Sequence, residues 1–263
     1  TAVPQQSELS QQALIIGRAS QENETVALAP GAWLIFADEG GVGAALAGQL
    51  RARGETCRLA VRGAPFAAHG DNSWRIDPAN PDDYRRLLLE VVTDESPLRG
   101  LVHLWGLDVE TPVEQVDVSL EPGQFMALGS TVYLLQALGS AGWSGRFWLG
   151  TRGAQPVTPG PLPPAVVQAP LWGLGRVFAL EHPQQWGGLV DLDGDPAAAA
   201  DNLFAEIWRD AGGEDQIAWR NGRRYVARLV RDNGPLPPPT AWHNDGVYLV
   251  TGELGGLGLQ VAH

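Results

Sequence analysis

Short apolar runs alternate with longer amphipathic segments along most of this chain, and this alternation limits the possible folds more than any other feature. A short apolar run bounded by glycines is typical of a strand buried on both faces of a sheet. The segments between the runs are long enough for helices that return the chain to a parallel strand. The pattern therefore predicts an α/β fold, with a mostly parallel sheet flanked by helices on both faces.

The predicted elements begin at residue 33. Strands are predicted at 33–38, 56–62, 98–108, 146–154 and 187–193, and helices at 41–54, 84–92, 123–142, 170–183 and 196–212. An alternating segment with an Asn-Gly pair, 215–231, predicts a hairpin. The polar residues 1–30 are predicted to be a linker with an edge strand.

A proline-rich segment divides the chain near its end. Residues 232–242 contain four prolines, and such a segment behaves as a stiff, extended linker. A new strand pattern begins after it. We therefore predict one domain over 31–231, a linker over 232–242 and the incomplete start of a second domain over 243–263.

The composition excludes several classes of function. The chain carries 30 acidic and 18 basic residues, so its formal charge is −12, and every basic residue is an arginine. Nucleic acid binding needs clustered positive charge and is not expected. There is no long apolar stretch or signal pattern, and Cys57 is the only cysteine, so we predict a cytoplasmic protein with no membrane partner and no disulfide.

The end of the chain resembles its beginning. WLIFADEGGVGAALA (33–47) aligns without a gap on YLVTGELGGLGLQVA (248–262), and both join a strand to a helix through a glycine-rich turn. In a dinucleotide-binding fold, such glycines let the backbone bend and admit a pyrophosphate to the helix N-terminus. The aligned glycines are Gly40, Gly41 and Gly43 in the first copy and Gly255, Gly256 and Gly258 in the second.

The two copies differ where a phosphate would lie. The first has Phe36 and Ala37 in place of the Thr251 and Gly252 of the second, and two carboxylates, Asp38 and Glu39, follow. These carboxylates would repel a phosphate group. The first copy is therefore predicted to have lost its ligand, whereas the second is predicted to keep it.

Together these segments resemble the ketoreductase region of a modular type I polyketide synthase. The resemblance covers about 31–263, and its most specific segment is APLWGLGRVFALEHPQQWGGLVDLD (169–193). It implies a Rossmann-like fold of the short-chain dehydrogenase/reductase (SDR) type, degenerate and truncated in this chain. It also implies that 31–231 is a structural half that binds no cofactor and that a catalytic half begins at 243.

The resemblance further implies a reaction, a cofactor and partners. The reaction is the NADPH-dependent reduction of a β-keto group on an intermediate held by the phosphopantetheine arm of an acyl carrier protein. The implied partners are the catalytic subdomain, the acyl carrier protein and neighbouring synthase domains. By resemblance, the pyrophosphate turn consists of Thr251, Gly252, Gly256, Leu257 and Gly258.

Two features leave the activity open. Glu253 stands where the family commonly has glycine, and its carboxylate either weakens cofactor binding or points into solvent without effect. The alternative function is therefore a degenerate, non-reducing ketoreductase kept as an interaction module. The family's reductases use a Ser, a Tyr and a Lys, but the chain has no lysine, so these residues and most NADPH contacts are expected beyond residue 263, and the fragment alone is expected to be inactive.

Other chemistry-bearing residues have ordinary structural interpretations. His103 lies in a buried strand pattern and is expected to be a core histidine, and His182 precedes a proline and is expected to end a helix. Asp191 and Asp193 share one strand face, with Asp195 shortly after them. A metal site there is possible, but a strand end that leads into a helix cap is favoured. No metal site is predicted.

Overall fold

The structure is a computed structural model that describes residues 31–70, 72–93, 97–109, 121–157, 165–208, 213–229 and 245–247. The chain separates into two compact units, Thr1–Ala227 and Arg228–His263, and the architecture below is that of the first. The predicted linker with an edge strand at 1–30, the predicted linker at 232–242 and nearly all of the predicted second domain at 243–263 lie outside the described residues. The predicted domain boundaries therefore stay a prediction.

Strands and helices alternate through the first unit. The strands are β1 (Ala32–Phe36), β2 (Thr56–Arg62), β3 (Ala67–Ala68), β4 (Ser73–Ile76), β5 (Leu98–His103), β6 (Arg146–Arg152), β7 (Trp186–Leu192), β8 (Gln216–Arg220) and β9 (Arg223–Val226). The helices are α1 (Val42–Ala52), α2 (Pro81–Val91), α3 (Glu121–Gln124), α4 (Ser130–Ser140), α5 (Ala169–Glu181) and α6 (Pro196–Trp208). A 3₁₀ turn, Trp105–Asp108, follows β5, and a π-helical turn, Phe125–Gly129, joins α3 to α4.

The described strands form one nine-stranded sheet in the order β3-β4-β2-β1-β5-β6-β7-β8-β9. Neighbouring strands are parallel except at the two edges, where β3 pairs antiparallel with β4 and β9 pairs antiparallel with β8. The order reverses between β1 and β5, as in a Rossmann sheet, and ligands of such sheets bind outside the carboxyl ends of the strands at that reversal. The predicted Rossmann-like fold class is confirmed.

Helices cover both faces of the sheet, so the central strands are buried on both sides. Along β1, Leu34 and Phe36 join the hydrophobic cluster beneath α2, α4 and α5. Trp33 and Ile35 point the other way and join the cluster beneath α1 and α6. Successive side chains of a strand alternate between faces, so a doubly covered strand must be apolar throughout.

Two tryptophans on the face covered by α1 and α6 pack closely against glycines of the neighbouring strand. A Cβ atom on Gly100 of β5 would lie 2.2 Å from the ring of Trp33, which is its register partner on β1. The ring of Trp148 on β6 leaves as little room at Gly187 of β7, where a Cβ atom would lie 2.5 Å away. These glycines are needed for close approach between a ring and a backbone.

Most predicted elements are confirmed, and two corrections follow from the structure. No strand was predicted between residues 62 and 84, but β3 and β4 lie there. β4 has only four residues, and Trp74 and Ile76 are its buried ones, which is too short a run to show a period in the sequence. The strand predicted at 98–108 ends at His103, because the chain turns into the 3₁₀ segment.

The predicted hairpin at the end of the sheet is confirmed. Its turn, between β8 and β9, is formed by Asn221 and Gly222, which have φ angles of 52° and 70°. Positive φ at both central residues is the geometry that two-residue hairpins require, and Asn-Gly is the pair that adopts it most readily.

Candidate functional site: the glycine-rich turn after the first strand

The predicted cofactor-binding residues, Thr251, Gly252, Gly256, Leu257 and Gly258, lie outside the described residues, as does Glu253. The predicted pyrophosphate turn therefore stays a prediction. Its counterpart in the first copy, the turn between β1 and α1, is fully described. This turn lies beside the reversal of strand order, where a Rossmann fold binds its ligand.

The turn keeps the backbone geometry of a dinucleotide-binding turn. Gly41 has a φ of 95°, a left-handed conformation that glycine adopts without strain, and it directly precedes α1. A Cβ atom on Gly43 would lie 2.9 Å from the Cα and Cβ atoms of Ala37, so the first turn of the helix packs directly on the chain leaving β1. These are two of the tasks that glycines perform in a dinucleotide fold.

A side chain of the turn occupies the amides at the start of α1. The carboxylate of Asp38 accepts hydrogen bonds from the backbone N–H of Val42, at 3.1 Å, and of Gly43, at 2.7 Å. Asp38 is buried. The first N–H groups of a helix have no partner within the helix and attract anions, so this carboxylate satisfies them from inside the protein. The sequence predicted repulsion here, and the structure shows occupation of the anion position.

Glu39 belongs to a second ionic group beside the turn. Nη2 of Arg62, at the carboxyl end of β2, lies 2.7 Å from Oε1 of Glu39 and 3.0 Å from Oδ2 of Asp108. The Asp108 carboxylate also accepts the backbone N–H of Glu39, at 2.9 and 3.1 Å. Burial raises the pKa of Asp108, while these hydrogen bonds and Arg62 act in the opposite direction.

Sequence reasoning missed Arg62 and Asp108. The available signal for Arg62 was its position at the end of the second strand, about 20 residues after the turn. Asp108 carries no comparable signal, because only the pairing of β1 with β5 brings the 3₁₀ segment next to the turn.

Aromatic side chains fill the core beneath this end of β1 and β5. The ring of Phe36 stacks on His103, with ring centroids 5.3 Å apart, and meets Trp105 edge-on at 5.0 Å. Tyr84 of α2 also stacks on Phe36, with ring centroids 6.0 Å apart. All four side chains are buried. The Phe36 that distinguishes the first copy is therefore a core residue.

The prediction that His103 is a core histidine is confirmed. The Oγ atom of Ser130 lies 3.3 Å from its Nε2 atom, and the Oγ1 atom of Thr131 lies 3.4 Å from its Nδ1 atom. Burial lowers the pKa of His103 to about 3, so the ring stays neutral in the folded protein at ordinary pH.

Acidification is expected to destabilise this domain through His103. In the unfolded chain the ring has a pKa near 6.5, so between there and about pH 3 the unfolded state binds the extra proton. The free energy of unfolding should therefore fall with pH, by about 2 kcal/mol between pH 7 and pH 5 for this group alone. Urea denaturation at both pH values measures the loss.

His103→Phe keeps an aromatic ring between Phe36 and Trp105 and should remove this part of the pH dependence. Ser130 and Thr131 stay satisfied in the variant, because their hydroxyls also donate to the carbonyl oxygens of Met126, at 2.5 Å, and Ala127, at 2.8 Å. The exposed His182, replaced by glutamine, is the control for the loss of one histidine, and His103→Phe should have a shallower slope than this control. A His103→Phe slope equal to that of the wild type would contradict the prediction.

The aspartates at the end of β7 serve the backbone. Asp195 accepts the N–H groups of Ala197 and Ala198, each at 2.9 Å, and so caps α6, which confirms the predicted cap. Asp193 accepts the N–H of Asn221, and Asp191 is buried among donors of its own. Among the described residues, no group of three or more His, Cys, Asp or Glu side chains could hold a metal ion. No helix in that part of the chain is long and apolar enough to cross a membrane.

The strand order and the glycine turn define a Rossmann-type domain whose nucleotide turn is occupied by its own carboxylate. Residues 83–229 match the family described as "Polyketide synthase extender module SpnB, Rossmann fold domain", and the chain belongs to that family. It therefore forms a ketoreductase-like domain of a polyketide synthase, as the resemblance in the sequence predicted.

Individual relatives agree with this assignment. Polyketide synthase GfsB of Streptomyces halstedii is 35% identical over an alignment of 259 positions, which covers 90% of this chain and 4% of that protein. GfsA of the same organism is 38% identical over 206 residues, 77% of this chain and 3% of its own length. The chain thus spans only a few per cent of these relatives.

Solved structures give the same result. A C2-type ketoreductase from a modular polyketide synthase superposes with a TM-score of 0.59 at 28% identity, over 78% of this chain and 42% of that one. The first ketoreductase of the tylosin synthase superposes with a TM-score of 0.56 at 29% identity, over 74% of this chain and 38% of that one.

Proposed function

We propose that residues 31–231 are the structural half of a ketoreductase and that this half binds no cofactor. The observation that carries the proposal is the Asp38 carboxylate on the amides of Val42 and Gly43, where a dinucleotide fold would bind pyrophosphate. Family membership supports it, and so do the solved ketoreductases, because the chain matches only about two fifths of each of them.

In this proposal the other half performs the reaction. It begins within 243–263, binds NADPH in part through Thr251, Gly252, Gly256, Leu257 and Gly258, and reduces the β-keto group of an intermediate on an acyl carrier protein to a hydroxyl. The cofactor supplies the hydride. The Ser, Tyr and Lys of the reaction are expected outside residues 1–263, which contain no lysine.

A helix surface with few charged residues is the proposed contact between the halves. Helix α4 has no charged residue, and α5 has only Arg176 and Glu181, although 18% of the chain is charged. On α5, Val177 is 50% exposed and Leu180 is 84% exposed. Helices this apolar are normally covered. The proposed cover is the catalytic half, because the internal repeat predicts that it has the same fold and equivalent helices.

Leu180→Asp, introduced into the ketoreductase region of the parent synthase, is expected to lower reductase activity several-fold. The measurement is NADPH oxidation with a β-ketoacyl thioester. Ala44→Asp on α1 is the control, because Ala44 is exposed on the opposite face of the sheet, and it should leave the activity unchanged. The 263-residue chain should unfold with either variant within about 0.5 kcal/mol of the wild type, because both positions are on the surface. Equal activity of both variants would contradict the proposed contact.

Titration of the 263-residue chain with NADPH, followed by nicotinamide fluorescence, tests the absence of cofactor binding. No saturable binding is expected from residues 31–231. Micromolar binding that persists after Gly252 and Gly256 are both replaced by aspartate would place the cofactor in the first half and overturn the proposal.

One observation favours the second candidate, a non-reducing module. In the internal alignment Glu253 falls on Asp38, and Asp38 occupies the amides of its own turn. A carboxylate that did the same in the second copy would exclude NADPH. The two candidates are separated by Glu253→Gly in the parent region: a reductase that gains activity only with glycine supports the second, and an active wild type supports the first.

A further inference from the structure

A Rossmann site for NADPH contacts phosphate at two separate places. The pyrophosphate lies on the N-terminus of the first helix, and an arginine near the end of the second strand accommodates the 2′-phosphate of the adenosine ribose. Both places can be located in this structure. The position of the pyrophosphate is the start of α1, which follows β1, and the position of the 2′-phosphate is the carboxyl end of β2. β1 and β2 are neighbours in the sheet.

Carboxylates of the chain itself occupy both phosphate positions. At the first, Asp38 accepts two helix N–H groups. At the second, Arg62 lies about 20 residues after the glycine turn, the separation expected for the residue that contacts the ribose. Its guanidinium is bound by Glu39 and Asp108.

The residues of the first turn therefore do not fit NADPH as they stand. A pyrophosphate would have to displace the buried carboxylate of Asp38, and a 2′-phosphate would have to displace Glu39 and Asp108 from Arg62. A displaced Asp38 or Asp108 carboxylate would remain close to a phosphate of like charge and repel it, because both side chains are enclosed, whereas Glu39, with a side chain 79% exposed, can turn into solvent. The glycine geometry for a nucleotide is nevertheless kept at Gly41 and Gly43.

We propose that Asp38, Glu39 and Asp108 act as an internal ligand that closes a latent dinucleotide site, with Asp38 in place of the pyrophosphate and the other two in place of the 2′-phosphate. This inference rests on the proposed function, because it explains how a structural half excludes the cofactor of its twin. It also assigns Arg62 a role: this side chain links the turn after β1 to the segment after β5.

The test is to open the site in the 263-residue chain and to supply adenosine 2′,5′-bisphosphate. The variant is the triple Asp38→Ala, Glu39→Ala and Asp108→Asn, in which the asparagine can still accept the Glu39-position N–H. Binding is followed through the backbone amide resonances of Val42 and Gly43, which report on this turn alone. The opened chain should bind at least about tenfold more tightly than the wild type, because the like charges are gone.

Asp195→Ala is the matched control. It frees the amides of Ala197 and Ala198 at the N-terminus of α6 in the same way, but that helix has no nucleotide turn. Those amides should not respond at concentrations that saturate the triple variant. An equal response of the amides at both helices would show that any uncapped helix N-terminus attracts the ligand, and it would overturn the proposal.

Two further outcomes would also overturn it. One is wild-type binding as tight as that of the variant, and the other is a folded triple variant that does not bind. If the triple variant does not fold, the single variant Asp38→Ala decides, because it removes the side chain from the amides of Val42 and Gly43 and leaves the ion pairs of Arg62 in place, and no gain in affinity would then contradict the proposal. A folded variant that does not bind would overturn this inference and leave the proposed absence of cofactor binding intact, whereas wild-type binding at Val42 and Gly43 would overturn both, so the two failures are distinguishable.

Discussion

Replacement of Asp191 by alanine is expected to lower the free energy of unfolding by about 3–5 kcal/mol, the range for loss of one partner from a buried ion pair. The carboxylate is fully buried and forms an ion pair with Arg220. It also accepts hydrogen bonds from Oγ1 of Thr151, at 2.6 Å, and from the backbone N–H groups of Ala154 and Gln155, each at 3.0 Å. Alanine would leave these donors in the interior without an acceptor.

Urea denaturation at neutral pH measures this loss, and the same strand end provides a control. Asp193→Ala removes a half-buried carboxylate that accepts one backbone N–H, from Asn221, and should reduce the stability by about 1 kcal/mol. Asp191→Asn should fall between the two, because an amide keeps the shape but not the charge. If Asp191→Ala lowered the free energy of unfolding no more than Asp193→Ala, the hydrogen bonds and the ion pair of Asp191 would not contribute the expected stability.

Gly100→Ala is the second change with a large expected effect, about 3 kcal/mol of destabilisation from overpacking. The new Cβ atom would lie 2.2 Å from the ring of Trp33. The ring has little freedom to move, because its Nε1–H donates to Glu55 at 3.1 Å, and Glu55 is paired with Arg99 at 2.7 Å. The strain must therefore pass to the backbone of β1 or β5.

A second glycine tests whether the close contact is the cause. A Cβ atom on Gly48, inside α1, would meet nothing within 4 Å, so Gly48→Ala should stabilise the domain by about 0.5–1 kcal/mol through helix propensity. The double variant Trp33→Leu with Gly100→Ala should be less destabilised than the sum of the single variants, because the clash is absent. Strict additivity would show that the ring is not the obstacle.

The pattern of the sequence predicted the sheet where its strands are long and buried. β1, β2, β6 and β7 stand out as apolar runs, and the Asn221–Gly222 pair marks the hairpin. β4 is different, because four residues in which only Trp74 and Ile76 are buried do not show a period. Strand order is also non-local, because no sequence pattern between β1 and β5 predicts that these two strands are neighbours in the sheet.

The candidate site shows the same limit. Spacing identified the glycine turn and marked Asp38 as foreign to a phosphate site, because both are properties of one continuous segment. The closure of the turn depends on partners from three strands. Arg62 arrives with β2 and Asp108 with the turn after β5, and their contacts with Glu39 exist only once the sheet has formed.

Under the proposed function, the capped start of α1 has a consequence for the stability of this half when NADPH levels change. A dinucleotide fold that leaves its helix amides open becomes more stable as its ligand accumulates and less stable as the ligand is depleted. Asp38 is part of the chain, so it accepts the hydrogen bonds of the Val42 and Gly43 amides whatever the concentration of cofactor. The folding of such a domain would not follow swings in the nicotinamide pool.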